Sequence, residues 1–247
     1  MNKSDYTFSR FRESVGKFGL KNALYWGIFI NFMPASLPYL FRRNKEFTFR
    51  GKNYKYFYHK YNFTWENERS VEVPIIYDII KGSRGKRILE VGCVLRHYYD
   101  LDIDVLDKYE SCSWAINEDA LDFKPDKKYD LIVSISTLEH VGFDEPIKDD
   151  SKFLKAINNL KHNLKKGGRL VFTVPLGYNK HVDMLFEKKM MPLSESYFMR
   201  RSEQNLEEWK EASYDEIRKY ISEKRLFIGK KGDSRLATIA IGVIDHE

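Results

Sequence analysis

A chain of 247 residues, 43% apolar and 32% charged, is long enough to bury the core of one globular domain with an added segment. Its 42 basic and 36 acidic residues are interspersed, and the net charge of +6 lacks the basic stripe of a nucleic-acid binder, so no nucleic-acid partner is expected. Two cysteines, Cys93 and Cys112, make no disulfide framework and lack metal-site spacing, so no metal is expected and a cytoplasmic location is predicted.

Residues 1–69 are predicted to form an N-terminal extension. Within it, residues 23–43 are apolar and aromatic and end in two arginines. Pro34 and Pro38 interrupt this run, so it falls short of the roughly 20 apolar residues of a spanning helix. The favoured interpretation is a helix packed on the main body. The alternative is a peripheral contact with the inner face of the membrane, where the arginines face anionic lipid.

Two local elements are predicted before the first long strand. Alternating aromatic residues between Glu46 and Tyr61 predict a hairpin that turns at Gly51-Lys52-Asn53. Pro74 is expected in the first turn of a helix that ends at Gly82-Ser83-Arg84-Gly85.

Residues 70–247 then alternate between strand and helix patterns. Apolar runs predict strands at 87–91, 103–106, 129–134, 169–174 and 236–244. A helix is expected from Ser151 until Gly167-Gly168 stops it, and a capping box from Ser213 to Glu216 predicts another. This alternation indicates an α/β fold, a Rossmann-like sandwich with a mostly parallel sheet and helices on both faces.

Five short segments follow one another along this domain. They are Ile88-Leu89-Glu90-Val91-Gly92-Cys93, Val105-Leu106-Asp107, Glu118-Asp119-Ala120, Tyr129–Ser134 with Leu138-Glu139-His140-Val141, and Leu164–Phe172. Together they resemble the class I S-adenosylmethionine-dependent methyltransferases over roughly residues 66 to 247. The resemblance implies S-adenosyl-L-methionine as the cofactor.

The resemblance also implies cofactor contacts at the ends of the first strands. Asp107 is expected to hold both ribose hydroxyls, because one carboxylate can accept two hydrogen bonds from vicinal groups. Asp119 is expected to contact the adenine amino group, with Glu118 and Asp122 as alternatives. Gly92 would let the backbone approach the ligand closely.

The loop after this glycine departs from the family. Val94 and Arg96 stand where further glycines are common, and the connection to the second strand has room for only one or two helical turns. Glu90 is expected to orient the turn and nearby amides or to face the cofactor's ammonium group. We hypothesise that Arg96 or His97 reaches the methionine carboxylate, and the open alternative is that both are surface residues.

The residues expected to contact the methyl acceptor follow the fourth and fifth strands. His140 is the candidate general base, because its imidazole can titrate near neutrality, although a purely structural role stays open. Asp144 and Glu145 are expected to assist or to bind acceptor hydroxyls. Tyr178 and Asn179 are expected to contact the acceptor, unless they form an ordinary turn.

Two further segments have functional interpretations. Residues 180–212 are predicted to form a lid over the acceptor. Arg69 and Glu72 either contact substrate or lie on a solvated helix face, and the solvated face is favoured.

Three classes of function remain open at this point. The leading one is methylation of a small molecule or glycan, in particular O-methylation of a saccharide or lipid-linked sugar, as in polysaccharide biosynthesis. The second is a non-catalytic protein of the same fold. The third, a nicotinamide-dependent sugar-modifying enzyme, is disfavoured because an incomplete glycine loop suits a pyrophosphate poorly.

Overall fold

The structure is a computed structural model that describes residues 44–59, 61–65, 67–202, 208–222 and 238–247. The apolar segment 23–43 lies outside the described residues, and both interpretations of it stay predictions. Within the described ranges, no helix has the length and apolar character needed to cross a bilayer.

The predicted hairpin is confirmed. Strands β1 (Glu46–Phe49) and β2 (Lys52–Lys55) pair antiparallel, with Phe49 opposite Lys52. Arg50 and Gly51 both have positive φ, which is the backbone of a tight two-residue hairpin turn and places the turn slightly earlier than expected. Phe47 and Phe49 are buried in a core shared with the main sheet, so the hairpin is part of the packed body.

A mixed sheet forms the centre of the described structure. Its strands are β3 (Ile88–Val91), β4 (Asp104–Leu106), β5 (Ala115–Ile116), β6 (Tyr129–Ile135), β7 (Leu164–Pro175), β8 (Glu195–Arg201), β9 (Trp209–Ala212) and β10 (Thr238–Asp245). The order across the sheet is β5-β4-β3-β6-β7-β10-β8-β9. The pairs from β5 to β7 are parallel, and those from β7 to β9 are antiparallel. The α/β expectation is therefore confirmed.

Helices cover both faces of this sheet. In the described chain they are α1 (Arg69–Lys81), α2 (Ser151–His162), α3 (Lys180–Glu187) and α4 (Tyr214–Ser222). Apolar residues of α2, α3 and α4 pack in one core cluster, and those of α1 pack with the hairpin in the other. Ser213 and Glu216 exchange hydrogen bonds at the start of α4, so the predicted capping box is confirmed.

Helix α1 begins earlier than expected. It starts at Arg69, which places Pro74 in the second turn rather than the first. Since proline has no N–H, the carbonyl of Ser70 lacks its helical partner. The backbone N–H of Phe57 donates to that carbonyl at 2.9 Å, so the segment after the hairpin supplies the missing bond.

The end of α2 and the proposed lid were also predicted wrongly. Helix α2 ends at His162, and Gly167-Gly168 lie within β7 where its register against β6 shifts. The described residues of 180–212, which are 180–202 and 208–212, form no lid, because α3 buries Val182 and Leu185 in the core and β8 pairs with β10 inside the sheet.

Candidate functional site

A cavity of about 360 Å³ opens at the carboxyl ends of β3, β4 and β6. This is where parallel α/β sheets commonly bind ligands. The cavity brings together most of the residues singled out from the sequence: Gly92, Asp107, Glu118, Asp119, His140, Asp144 and Glu145. Its volume lies within the roughly 300–1,000 Å³ of typical small-ligand sites.

Gly92 turns the chain at the inner end of the cavity. Its φ is +83°, and a Cβ there would stand 2.1 Å from Oγ1 of Thr137. A side chain at this position is therefore excluded both by conformation and by space. The loop after β3 thus lies against the turn that follows β6.

Glu90 holds the loop that follows this glycine. Its Oε1 accepts hydrogen bonds from the backbone N–H groups of Val94, at 2.9 Å, and Leu95, at 2.6 Å. Its Oε2 is buried without a hydrogen-bond partner. Burial raises the pKa of Glu90 from 4.5 to about 7, although the amides oppose the rise.

Asp107 joins two loops at the mouth of the cavity. Its Oδ1 accepts from the amides of Tyr109 and Glu110, at 2.8 and 2.9 Å, and its Oδ2 accepts from the amide of Cys93 at 3.1 Å. A carboxylate offers about four acceptor positions, so these amides leave about one free on Oδ2. Asp107 therefore has about one acceptor position left, which is fewer than the two that the predicted ribose contact requires.

Asp119 faces the cavity as a paired carboxylate. Its Oδ2 accepts from Nζ of Lys108 at 2.8 Å, and its Oδ1 accepts from the amide of Leu121 at 3.0 Å. Partial burial tends to raise the pKa of Asp119, but these hydrogen bonds outweigh it and the pKa is lowered. Asp119 therefore stays an acceptor for an amino group. Glu118 also lines the cavity.

His140, Asp144 and Tyr178 form a connected group on the acceptor side. Nδ1 of His140 contacts Oδ2 of Asp144, and the Tyr178 hydroxyl donates to the same oxygen at 2.6 Å. Burial acts to raise the pKa of Asp144, but hydrogen bonds from Tyr178 and His140 lower it. Tyr178 itself does not line the cavity, since its ring packs edge-on against His140 and Phe143.

Two of the residues predicted to contact the acceptor, Glu145 and Asn179, bind to other parts of the protein. Glu145 lines the cavity and pairs with Lys152. Asn179 is buried at the start of α3, where its Oδ1 accepts from the amides of His181 and Val182 and its Nδ2 donates to the carbonyl of Glu139. With its amide satisfied in this way, Asn179 is a helix cap, and the expected acceptor contact is not supported.

Arg96 does not reach the cavity. Its Nη1 donates to Asp100 and to the carbonyl of Leu101, both at 2.6 Å, and its guanidinium lies 5.5 Å from the ring centroid of Trp114. These contacts hold it on the outer side of the short helical turn Leu95–His97, so the placement contradicts the proposed carboxylate contact.

The interpretation of Arg69 and Glu72 as a solvated face is wrong. Glu72 is fully buried, and Arg69 donates to the carbonyl of Ile135 at 2.8 Å. The Oε2 atom has no hydrogen-bond partner in three buried glutamates, Glu72, Glu90 and Glu139. A signal for Glu72 existed in the sequence, because the buried residues Ile75 and Ile76 lie three and four positions away on the same face.

Comparison with family sequence models and with curated proteins gives two findings. The sequence model of a methyltransferase domain family matches residues 76–225. A search of curated proteins finds no significant match.

Solved structures of similar proteins include three methyltransferases. The N-methyltransferase NodS from Bradyrhizobium japonicum is 16% identical, with 73% of this chain and 89% of that chain covered and a TM-score of 0.40. A possible histamine N-methyltransferase from Thermotoga maritima is 12% identical, with 88% and 99% covered and a TM-score of 0.41. The sugar N-methyltransferase KedS8 from Streptoalloteichus is 17% identical, with 42% and 48% covered and a TM-score of 0.33. At such identities the acceptors named for those proteins do not transfer to this chain.

Proposed function

The chain belongs to the methyltransferase domain family and is an S-adenosylmethionine-dependent methyltransferase, and from this premise we propose that it methylates a hydroxyl group of a small polar molecule, a saccharide or a lipid-linked sugar. The observation that carries the proposal is the contact between His140 and Asp144 in the cavity wall.

The residues of the cavity fit the cofactor. Gly92, Asp107 and Asp119 would hold its nucleoside, with Glu118 beside them. The acidic groups outnumber Lys108 in this part of the wall, which suits a ligand that carries a positive charge. When bound, the cofactor supplies a methyl group on a cationic sulfur, which is a good leaving group. The chain's own task is then to align the acceptor and exclude water.

His140 can remove the proton that a hydroxyl acceptor must lose when it is methylated. With Nδ1–H donated to Asp144, Nε2 is the ring nitrogen left to accept the proton of an acceptor hydroxyl, and it lies 3.6 Å from Oε1 of the buried Glu139. The ionised Asp144 stabilises the imidazolium that forms, and the Tyr178 hydroxyl fixes Asp144 in place.

The rim of the cavity supports a sugar-like acceptor. Tyr109 lines the cavity and is 73% exposed, so its ring is available for stacking on a sugar ring. Asp144 and Glu145 offer carboxylate oxygens to acceptor hydroxyls.

The test is transfer of a labelled methyl group to a panel of free, nucleotide-linked and lipid-linked sugars, with matched amines. We expect a hydroxyl product with the wild-type protein. His140→Gln should lower kcat about 10²–10⁴-fold near neutral pH and leave cofactor affinity unchanged. His162→Gln, an exposed histidine on α2, is the control. Methylation of amines alone, or an unchanged kcat in His140→Gln, contradicts the proposal.

A further inference from the structure

Three side chains of metal-binding type meet next to the loop after β3, and none of them lines the cavity. The ligand atoms of Cys93, His97 and Glu110 all lie within 4.8 Å of one another. Nε2 of His97 is 3.4 Å from Oε2 of Glu110, and Cys93 is buried with 7% exposure. From this geometry we propose that the three residues bind one divalent transition-metal ion of the zinc type.

The donor set selects this class of metal. A thiolate, an imidazole and a carboxylate suit Zn²⁺, whereas Mg²⁺ and Ca²⁺ prefer oxygen alone. Bond lengths of about 2.0–2.3 Å in a tetrahedral site place the ligand atoms roughly 3.3–3.8 Å apart. The His97–Glu110 pair already has this spacing, and because all three ligand atoms lie within 4.8 Å of one another, side-chain movements of about an ångström complete the site. Water would take the fourth position.

Binding has a defined proton balance. The S–H bond of Cys93 breaks, a sulfur–metal bond forms, and the proton leaves to solvent. The side chains of His97 and Glu110 are 25% and 31% exposed, which gives the ion a path of entry. The cysteine spacing predicts no metal, because the two cysteines are not paired at short distance along the chain, but Cys93 and His97 four positions apart were an available signal.

The ion would link two loops that already meet at Asp107. Cys93 and His97 follow β3, and Glu110 follows β4. The amides of Cys93 and Glu110 both donate to the Asp107 carboxylate. None of the three ligand residues lines the cavity, so the ion has a structural role: it fixes the loop that lacks the family's further glycines. By fixing this loop, the ion would also hold Asp107 in place for the cofactor. Only that effect on cofactor binding rests on the proposed function, whereas metal binding itself does not.

Titration of the chelator-treated full-length protein with Zn²⁺ and Co²⁺ tests the site. We expect one ion per chain and a Co²⁺ spectrum with a thiolate charge-transfer band. Cys93→Ser should abolish that band, and His97→Gln and Glu110→Gln should each weaken Zn²⁺ binding by at least about tenfold. Circular dichroism checks that each variant is folded.

Cys112→Ser is the matched control, because Cys112 lies outside the group of three. It should keep both the stoichiometry and the band. Absence of stoichiometric binding, an unchanged spectrum in Cys93→Ser, or equal loss in Cys112→Ser overturns the assignment. Intact metal binding in a protein that methylates no hydroxyl overturns the proposed function and leaves the metal site standing.

Discussion

The buried carboxyl group of Glu90 makes stability depend on pH. Glu90→Gln keeps an oxygen for the amides of Val94 and Leu95, and its NH₂ group replaces the O–H of the protonated acid. The variant therefore resembles wild type with Glu90 protonated, at every pH. In wild type this buried carboxyl group becomes charged as pH rises, whereas the glutamine of the variant has no proton to lose.

The size of the effect follows from the pKa of Glu90. Burial raises this pKa from 4.5 to about 7, so between these values the folded protein binds more protons than the unfolded chain. Stability contributed by the protonated group is present at low pH and is lost as pH rises through about 7. At about 1.36 kcal/mol per pH unit, the free energy of unfolding is therefore about 3 kcal/mol lower above pH 7 than below pH 4.5.

Urea unfolding of wild type and Glu90→Gln between pH 5 and 8 measures this difference. We expect the advantage of the variant over wild type to grow by about 2.5 kcal/mol from pH 5 to pH 8, because Glu90 of the unfolded wild-type chain ionises from about pH 4.5 whereas the buried Glu90 stays protonated up to about pH 7. The exposed Glu46 provides a control substitution, Glu46→Gln, that should leave the slope unchanged. Two parallel stability curves, separated by a constant offset, would refute the reasoning.

Two substitutions, Gly92→Ala with Gly85→Ala as its control and Asn179→Ala, test the structural roles assigned to residues near the site. Gly92→Ala forces a Cβ into Thr137 in a backbone conformation that disfavours side chains, so unfolding free energy should fall by about 2–4 kcal/mol. Gly85→Ala, also at positive φ but with open space around it, should cost about 1–2 kcal/mol, and equal losses would contradict the clash. Asn179→Ala should cost about 1 kcal/mol of stability through the lost cap of α3 while KM for the acceptor stays constant, and a raised KM with unchanged stability would restore the acceptor contact.

Much of the fold was predictable because its signals are local. The apolar run of β3 ends at Gly92, and the run of β4 ends before Asp107, so the two strand ends and their shared edge follow from the sequence. The Ser213–Glu216 capping box is equally local. Residues 180–212 could not be placed in this way, because the pairing of β8 with β10 joins segments about 40 positions apart.

The site was predictable in its positions but less so in its side-chain directions. Asp107, Asp119 and His140 follow strand ends and do face the cavity. Arg96 faces away, because a short helical turn gives no periodic pattern from which the direction of one side chain can be inferred. Asn179 was misinterpreted although asparagine directly before a helix is a common cap.

Calorimetric titration with S-adenosylhomocysteine tests the central claim, that the cavity holds the cofactor through Asp107, most directly. We predict one binding event per chain for wild type. Asp107→Ala should weaken it by roughly tenfold or more, since a hydrogen bond to a charged group contributes about 1.5–3 kcal/mol. Asp107→Asn keeps an oxygen for the amides of Tyr109 and Glu110 and loses only the bond from Cys93, so it separates loss of the ligand contact from loss of the loop after β4. An Asp107→Ala variant that binds as tightly as wild type, or a wild type that does not bind, would contradict the account.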